Sequence, residues 1–284
     1  MKLLRYGPSG NERPGLLDDE GRIRDLGHIV DDIAGDHLTA AGLEKIRALD
    51  TASLPLVDGD VRLGAAVGRI GKFICVGLNY ADHAAESGMA VPEQPVLFMK
   101  ATSAVIGPDD TVVIPRASRK TDWEVELGVV IGDRAHDVPV ETALEHVAGY
   151  AVINDLSERE FQLEHGGQWV KGKSCDTFGP IGPWLVTRDE VADPQNLAMW
   201  LEVNGHRYQD GSTRTMVFGV ATLVSYISRY MTLMPGDVIS TGTPPGVGLG
   251  QKPPVYLKPG DVMELGIEGL GRQRQQVVAY ESTR

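Results

Sequence analysis

The chain has 284 residues and carries 27 lysines and arginines against 39 aspartates and glutamates, a net charge of −12. That balance argues against nucleic acid or an anionic membrane as a partner, because phosphate binding needs a basic surface. It leaves room for a small anion drawn in by a bound divalent cation, and the length allows one large domain or a small one beside a larger one.

Only two cysteines occur, Cys75 and Cys175, at neither zinc-site nor redox spacing. Both read as reduced thiols of an intracellular protein. The start, MKLLRYGPSG, has no apolar leader core before its Gly-Pro break, and no apolar run approaches about 18 residues. A soluble, cytoplasmic protein is expected.

Residues 1–68 read as a small N-terminal α+β domain, with PGLLDDEGRIRDL as a hairpin and HLTAAGLEKIRALD as a helix. A larger domain, 69–284, opens on the buried strand KFICVG. TDWEVELGVVIG, residues 121–132, reads as a strand carrying two carboxylates, and GYAVIND as another closed by Asp155. Ser157-Glu158-Arg159-Glu160 has the form of a capping box, which puts Asp155 at a strand-to-helix junction. Asn204-Gly205 signals a hairpin. Pro-Gly-Asp-Val at 235–238 and 259–262 turns into a strand each time. Helical patterns cover roughly 80–87, 140–147, 157–165 and 218–230, too irregularly placed for βαβ winding. The fold class is α+β, rich in β.

Side chains alternate across a strand, so Glu124 and Glu126 share a face, with Cα atoms roughly 7 Å apart. Like charges that close raise each other's pKa unless a cation lies between them. They are either an exposed polar face or part of a metal site. Asp155 either favours a helix N-terminus or joins them. Three carboxylates with no His or Cys beside them suit Mg²⁺, Mn²⁺ or Ca²⁺ better than zinc, and three ligands leave positions open for water and substrate. His83 and Glu86 stand three apart in NYADHAAESG, as a surface pair or as a carboxylate-tuned general base. Lys173 is either solvated or placed to stabilise a developing anion. The loop STGTPPGVGLG, 240–250, lacks the Lys-Ser/Thr of a phosphate-binding loop; it is a ligand-approaching loop or a plain turn.

VGLNYADHAAE, PVLFMK, TDWEVELGVVIG, GYAVINDLSERE, KGKSCDTFGPIGPW and ISTGTPPGVG, in that order, resemble the fumarylacetoacetate hydrolase family over about 70–284. The resemblance implies a mixed β-roll catalytic domain, commonly a homodimer, holding Mg²⁺ or Mn²⁺ on Glu124, Glu126 and Asp155. It implies a lid whose His83/Glu86 dyad activates water, a catalytic Lys173, and substrate contacts from Arg159, Gln162 and Thr243. The implied activity is cleavage of the C3–C4 bond of a 2,4-diketo acid to pyruvate and a second carboxylic acid, the ligand being a small 2-oxo acid. Similar sequences are also named ureidoglycolate lyase; an isomerase or decarboxylase of oxo-dioic acids would use the same chelation, and a catalytically silent metal-binding protein is the non-enzyme alternative. One departure is Leu78, where relatives acting on small acylpyruvates carry arginine before Asn-Tyr. With the run GQWVKGKSCDTFGPIGPWLVTRDEV it points to 2,4-diketo-3-deoxy sugar acids.

Overall fold

The computed structural model describes residues 1–82 and 90–280. Two sheets dominate. The path of the larger, ten-stranded one runs Ile23–Asp25, Arg13–Leu17, Lys2–Tyr6, Gly179–Thr187, Val147–Asn154, Val125–Ile131, Val238–Ser240, Phe73–Gly77 and Val96–Lys100. Val105–Ile106 joins it beside Gly179–Thr187. The smaller sheet has five strands: His206–Ser212, Ala198–Val203, Val262–Ile267, Gly271–Ala279 and Val112–Ile114. Helices are short; Val220–Tyr230 packs Leu223, Val224 and Ile227 into the main core. The chain is therefore the strand-rich α+β protein the sequence predicts, and no helix among the described residues is long and apolar enough to cross a membrane.

Local signals give the elements expected of them. Asn204 and Gly205 take φ of 53° and 77° between the paired residues Val203 and His206. Both central positions of that two-residue turn need positive φ, which Asn-Gly supplies. Leu17 pairs with Ile23 across the first hairpin, and Ala40–Arg47 is the helix of the N-terminal region, capped by Thr39.

The first three strands do not form a sheet of their own. Lys2–Tyr6 pairs with Gly179–Thr187, Leu3 opposite Leu185. Leu3, Leu16 and Leu26 share one buried cluster with Phe73, Val130 and Ile181. Hydrogen bonds and core both cross residue 68, because so small a unit buries little surface by itself.

Three other elements differ from their sequence reading. TDWEVELGVVIG is two strands: Thr121–Asp122 pairs with Ser157–Glu158, and Val125–Ile131 enters the large sheet. Trp123 sits in the break, its buried indole Nε1 donating to Gly246 O at 3.1 Å and its ring against Tyr208. Residues 140–146 form a 3₁₀ helix squeezed between Pro139 and the strand that starts at Val147. The Ser157–Glu160 capping box does not form. Ser157 is a strand residue whose hydroxyl donates to Asp155 O at 3.0 Å, and Glu158 caps the helix Arg159–Leu163 by accepting from Glu160 N.

Candidate metal centre

Strand register brings the carboxylates together. Asn154 lies opposite Val125, so Asp155 falls beside Glu124 and its N–H donates to Glu124 O at 2.9 Å. On the other flank Ser240 lies opposite Gly128, which carries the following residues past Glu126. One oxygen each of Glu124, Glu126 and Asp155 lies within 4.8 Å of the others. All three residues are buried, so the exposed-face reading of the E-x-E pair does not hold.

Cations surround this cluster. Lys173 Nζ, itself buried, donates to Glu124 Oε2 at 2.6 Å and to Asp155 Oδ2 at 2.8 Å. Arg159 donates from Nη2 to Glu124 Oε1 at 2.7 Å, from Nε to Asp122 Oδ2 at 2.8 Å and from Nη1 to Gln162 Oε1 at 3.1 Å. Lys100 Nζ donates to the carbonyls of Leu156 at 2.9 Å and Lys173 at 2.5 Å. It also lies 2.6 Å from Asp155 Oδ1, in a direction that makes an ion pair but no hydrogen bond. Asp155 Oδ1 thus has no hydrogen-bond partner among the described residues. The carboxylates of Asp122, Glu124, Glu126 and Asp155 outnumber the cations of Lys100, Arg159 and Lys173 by one.

That imbalance shows in the acidities. Burial first, then repulsion from Asp155 and Glu124, push Glu126 well above the usual glutamate range, against the pull of Lys173 and the Ser240 hydroxyl. Burial works to lower the Lys173 pKa, but the carboxylates of Asp155 and Glu124 outweigh it and hold the ammonium charged. The donors are hard oxygens in excess negative charge, with one orphaned buried oxygen among them. A divalent cation that prefers oxygen fits these residues.

The loop 240–250 grips the protein's own carboxylates. Ser240 Oγ and Gly242 N donate to Glu126 Oε2 at 2.6 and 2.9 Å. Gly248 N and Leu249 N donate to the two oxygens of Asp122 at 2.6 and 2.9 Å. Gly242 has φ of 96°, and a Cβ there would stand 2.8 Å from Asn79 Cβ. The loop is thus neither a phosphate cradle nor a plain turn.

Of the residues singled out in the sequence, Glu124, Glu126, Asp155, Lys173, Arg159, Gln162 and Thr243 meet around one site. All but Asp155 line a single pocket. The hydroxyl of Thr243 donates to Val125 O at 2.9 Å and accepts from Gln209 Nε2 at 2.7 Å, so its proton is not free for a substrate. Ala81 and Asp82 are helical; His83 and Glu86 lie outside the described residues. Sequence reasoning missed Asp122, Lys100, Gln209 and Ser240. Three of these lie inside the quoted motifs: Asp122 in TDWEVELGVVIG, Lys100 at the end of PVLFMK and Ser240 in ISTGTPPGVG.

Comparisons agree with this geometry. The family model described as "Fumarylacetoacetate (FAA) hydrolase C-terminal" matches residues 72–278. A Burkholderia multivorans protein whose name goes no further than hydrolase is 68% identical over 97% of this chain and 98% of its own. A fumarylacetoacetate hydrolase from Exiguobacterium antarcticum superposes with a TM-score of 0.85 at 41% identity, over 98% of this chain and 99% of that one. Maleylpyruvate hydrolase from Sphingobium sp. SYK-6, solved with manganese(II) and pyruvate, gives 0.82 at 30%, over 98% and 99%. Solved relatives carry both hydrolase and isomerase names. With its acidic triad and with this match across most of its length, the chain belongs to the fumarylacetoacetate hydrolase family.

Proposed function

We propose that the protein hydrolyses the C3–C4 bond of a 2,4-diketo acid, releasing pyruvate and a second carboxylic acid. The observation that carries this reading is the buried triad with the Lys173 ammonium bridging two of its members at the base of the pocket. Glu124, Glu126 and Asp155 would hold Mg²⁺ or Mn²⁺. Bound there, such an ion supplies Lewis-acid polarisation and a docking point for a 2-oxo carboxylate. A manganese and pyruvate complex of a 30% identical hydrolase supports both parts.

The chain's own residues do the rest. Water adds its oxygen to the C4 carbonyl carbon, and its proton goes to His83, oriented by Glu86, an assignment resting on the NYADHAAE motif. The C3–C4 bond then breaks with its electron pair on C3, giving the enolate of pyruvate. Lys173 would stabilise that charge, because a fixed ammonium in a buried site does so at no reorganisation cost. The proton held on His83 then passes to C3, which completes pyruvate and returns the imidazole to its starting state. Arg159, locked by Asp122, Glu124 and Gln162, fixes the position of Glu124. Among 2,4-diketo acids the sequence runs favour 3-deoxy sugar acids, and a homodimer in the cytoplasm is the expected working form.

The test is product analysis with Mg²⁺ and a panel of 2-oxo acids. Pyruvate with one equivalent of a second acid is expected. Urea and glyoxylate from ureidoglycolate would make it a lyase, and an isomerised or decarboxylated oxo-dioic acid would support the reading the isomerase relatives favour. His83→Ala should lower turnover by about 10²–10⁴-fold while Mg²⁺ binding, read by calorimetry, stays close to the parent. Unchanged turnover assigns water activation elsewhere.

A further inference from the structure

The pocket has two zones of opposite character. Its base carries Glu124, Glu126, Arg159 and Lys173, and its rim carries Leu78, Leu163, Trp169 and Leu249. These rim side chains are half-buried or exposed, Leu163 to 37%. Exposed apolar groups grouped around a polar floor cost solvation unless something apolar covers them.

The rim is built, not incidental. Trp169 crosses the end of the strand Phe73–Gly77, where a Cβ on Gly77 would come within 2.5 Å of its ring. Its other side packs edge-on against Phe98 with ring centroids 5.4 Å apart. The Phe98 ring in turn lies 5.1 Å from Lys173 Nζ. Gly77, the Phe98 ring and, through that ring, the Lys173 ammonium therefore hold the indole beside the carboxylate cluster. Leu78 reaches the rim through a left-handed φ of 56°, a conformation that leucine adopts only under constraint.

Charge accounting adds a second constraint. Every cation that lines the pocket among the described residues is already paired: Arg159 with Asp122 and Glu124, Lys173 with Glu124 and Asp155. The cluster has one negative charge in excess. A divalent ion reverses it to one positive, which a single substrate carboxylate neutralises. A second carboxylate at the far end would find no partner among the described residues and would be desolvated at a cost.

We propose that the substrate's distal end is uncharged and ends in a methyl or short alkyl group seated against Leu78, Leu163, Trp169 and Leu249. This rests on the 2,4-diketo acid reading and narrows it. Alkyl acylpyruvates and sugar acids with a deoxygenated terminus belong to the class; oxo-dioic acids do not.

Three compounds of one length test it: 2,4-dioxoheptanoate, its 7-hydroxy derivative and 2,4-dioxoheptanedioate. With Mg²⁺ and pyruvate readout, the methyl-ended acid should exceed the dioic acid in kcat/KM by roughly tenfold or more, as apolar pockets discriminate. Trp169→Ala should shrink that ratio. Leu163→Arg, a change at an exposed position, should raise kcat/KM for the dioic acid alone. Should none of the three release pyruvate, the reaction assignment falls by itself. Mg²⁺-dependent thermal shifts with the same compounds then rank the termini without turnover, the methyl-ended acid stabilising most. A dioic acid that ranks first, or a Trp169→Ala effect equal for all three, overturns the proposal.

Discussion

Two wholly buried aspartates, Asp122 and Asp155, sit on either side of Glu124 and live in opposite surroundings. Asp122 receives N–H donors from Trp123, Gly248 and Leu249 and the guanidinium of Arg159, so both of its oxygens are satisfied. Asp155 has two lysine ammoniums and an Oδ1 that accepts no hydrogen bond from the described residues. Backbone donors arranged around a carboxylate consume its acceptor capacity and make it structural. A carboxylate with an acceptor left unfilled keeps capacity for a ligand. The difference separates the acid we propose as a chelator from the bracing one by hydrogen bonding alone.

Substituting each aspartate breaks the comparison most directly. Asp155→Asn should abolish high-affinity Mg²⁺ binding, a loss beyond the roughly 10–100-fold that removing an outer partner costs. Turnover should vanish with it. Asp122→Asn should instead strike the fold, since it strips the buried Arg159 of a partner. Breaking a buried pair by removing one member costs about 3–5 kcal/mol, readable as a lower urea midpoint. If Asp122→Asn lost Mg²⁺ more severely than Asp155→Asn, the assignment of roles would be reversed. A milder effect is expected of Ser240→Ala. It deletes the hydroxyl that donates to Glu126 Oε2 but leaves Gly242 N in place, and Mg²⁺ affinity should fall by about 10–100-fold.

Those assignments were only half legible in the sequence. Glu124, Glu126 and Asp155 stand out because acids at the ends of apolar strands break a pattern. Asn204-Gly205 and the Pro-Gly-Asp turns are equally local, and all formed. Asp122 was hidden because TDWEVELG reads as one strand; the break after it depends on Gly246 and Tyr208, more than eighty residues away in the chain. Lys100 ends the PVLFMK motif, and nothing local to it marks it as buried. It is buried because the carbonyls of Leu156 and Lys173 converge on it, and convergence of distant backbone leaves no mark in a pattern. The N-terminal strands read as a separate unit, since nothing in MKLLRY states that its partner is residues 179–187.

The smallest expected effect sharpens the comparison through protons. Burial and two neighbouring carboxylates raise Glu126, whose usual value is 4.5. In the metal-free protein the folded state therefore holds a proton on Glu126 at a pH where the unfolded chain has released it. Stability from this group is present below about 4.5 and is lost as pH rises through the raised folded value. A divalent cation binds the charged form, so its affinity should climb with pH across the same window and then level off. Binding should also release up to about one proton. Calorimetry in two buffers of different ionisation enthalpy measures that release, and Glu126→Gln should remove it along with most of the affinity. Ser240→Ala removes a donor that favours the charged carboxylate, so it should move the affinity window to higher pH. Heats independent of the buffer at pH values within the window would show that Glu126 is already charged before the ion arrives. The excess negative charge of the cluster would then be held by Lys173, Lys100 and Arg159 alone.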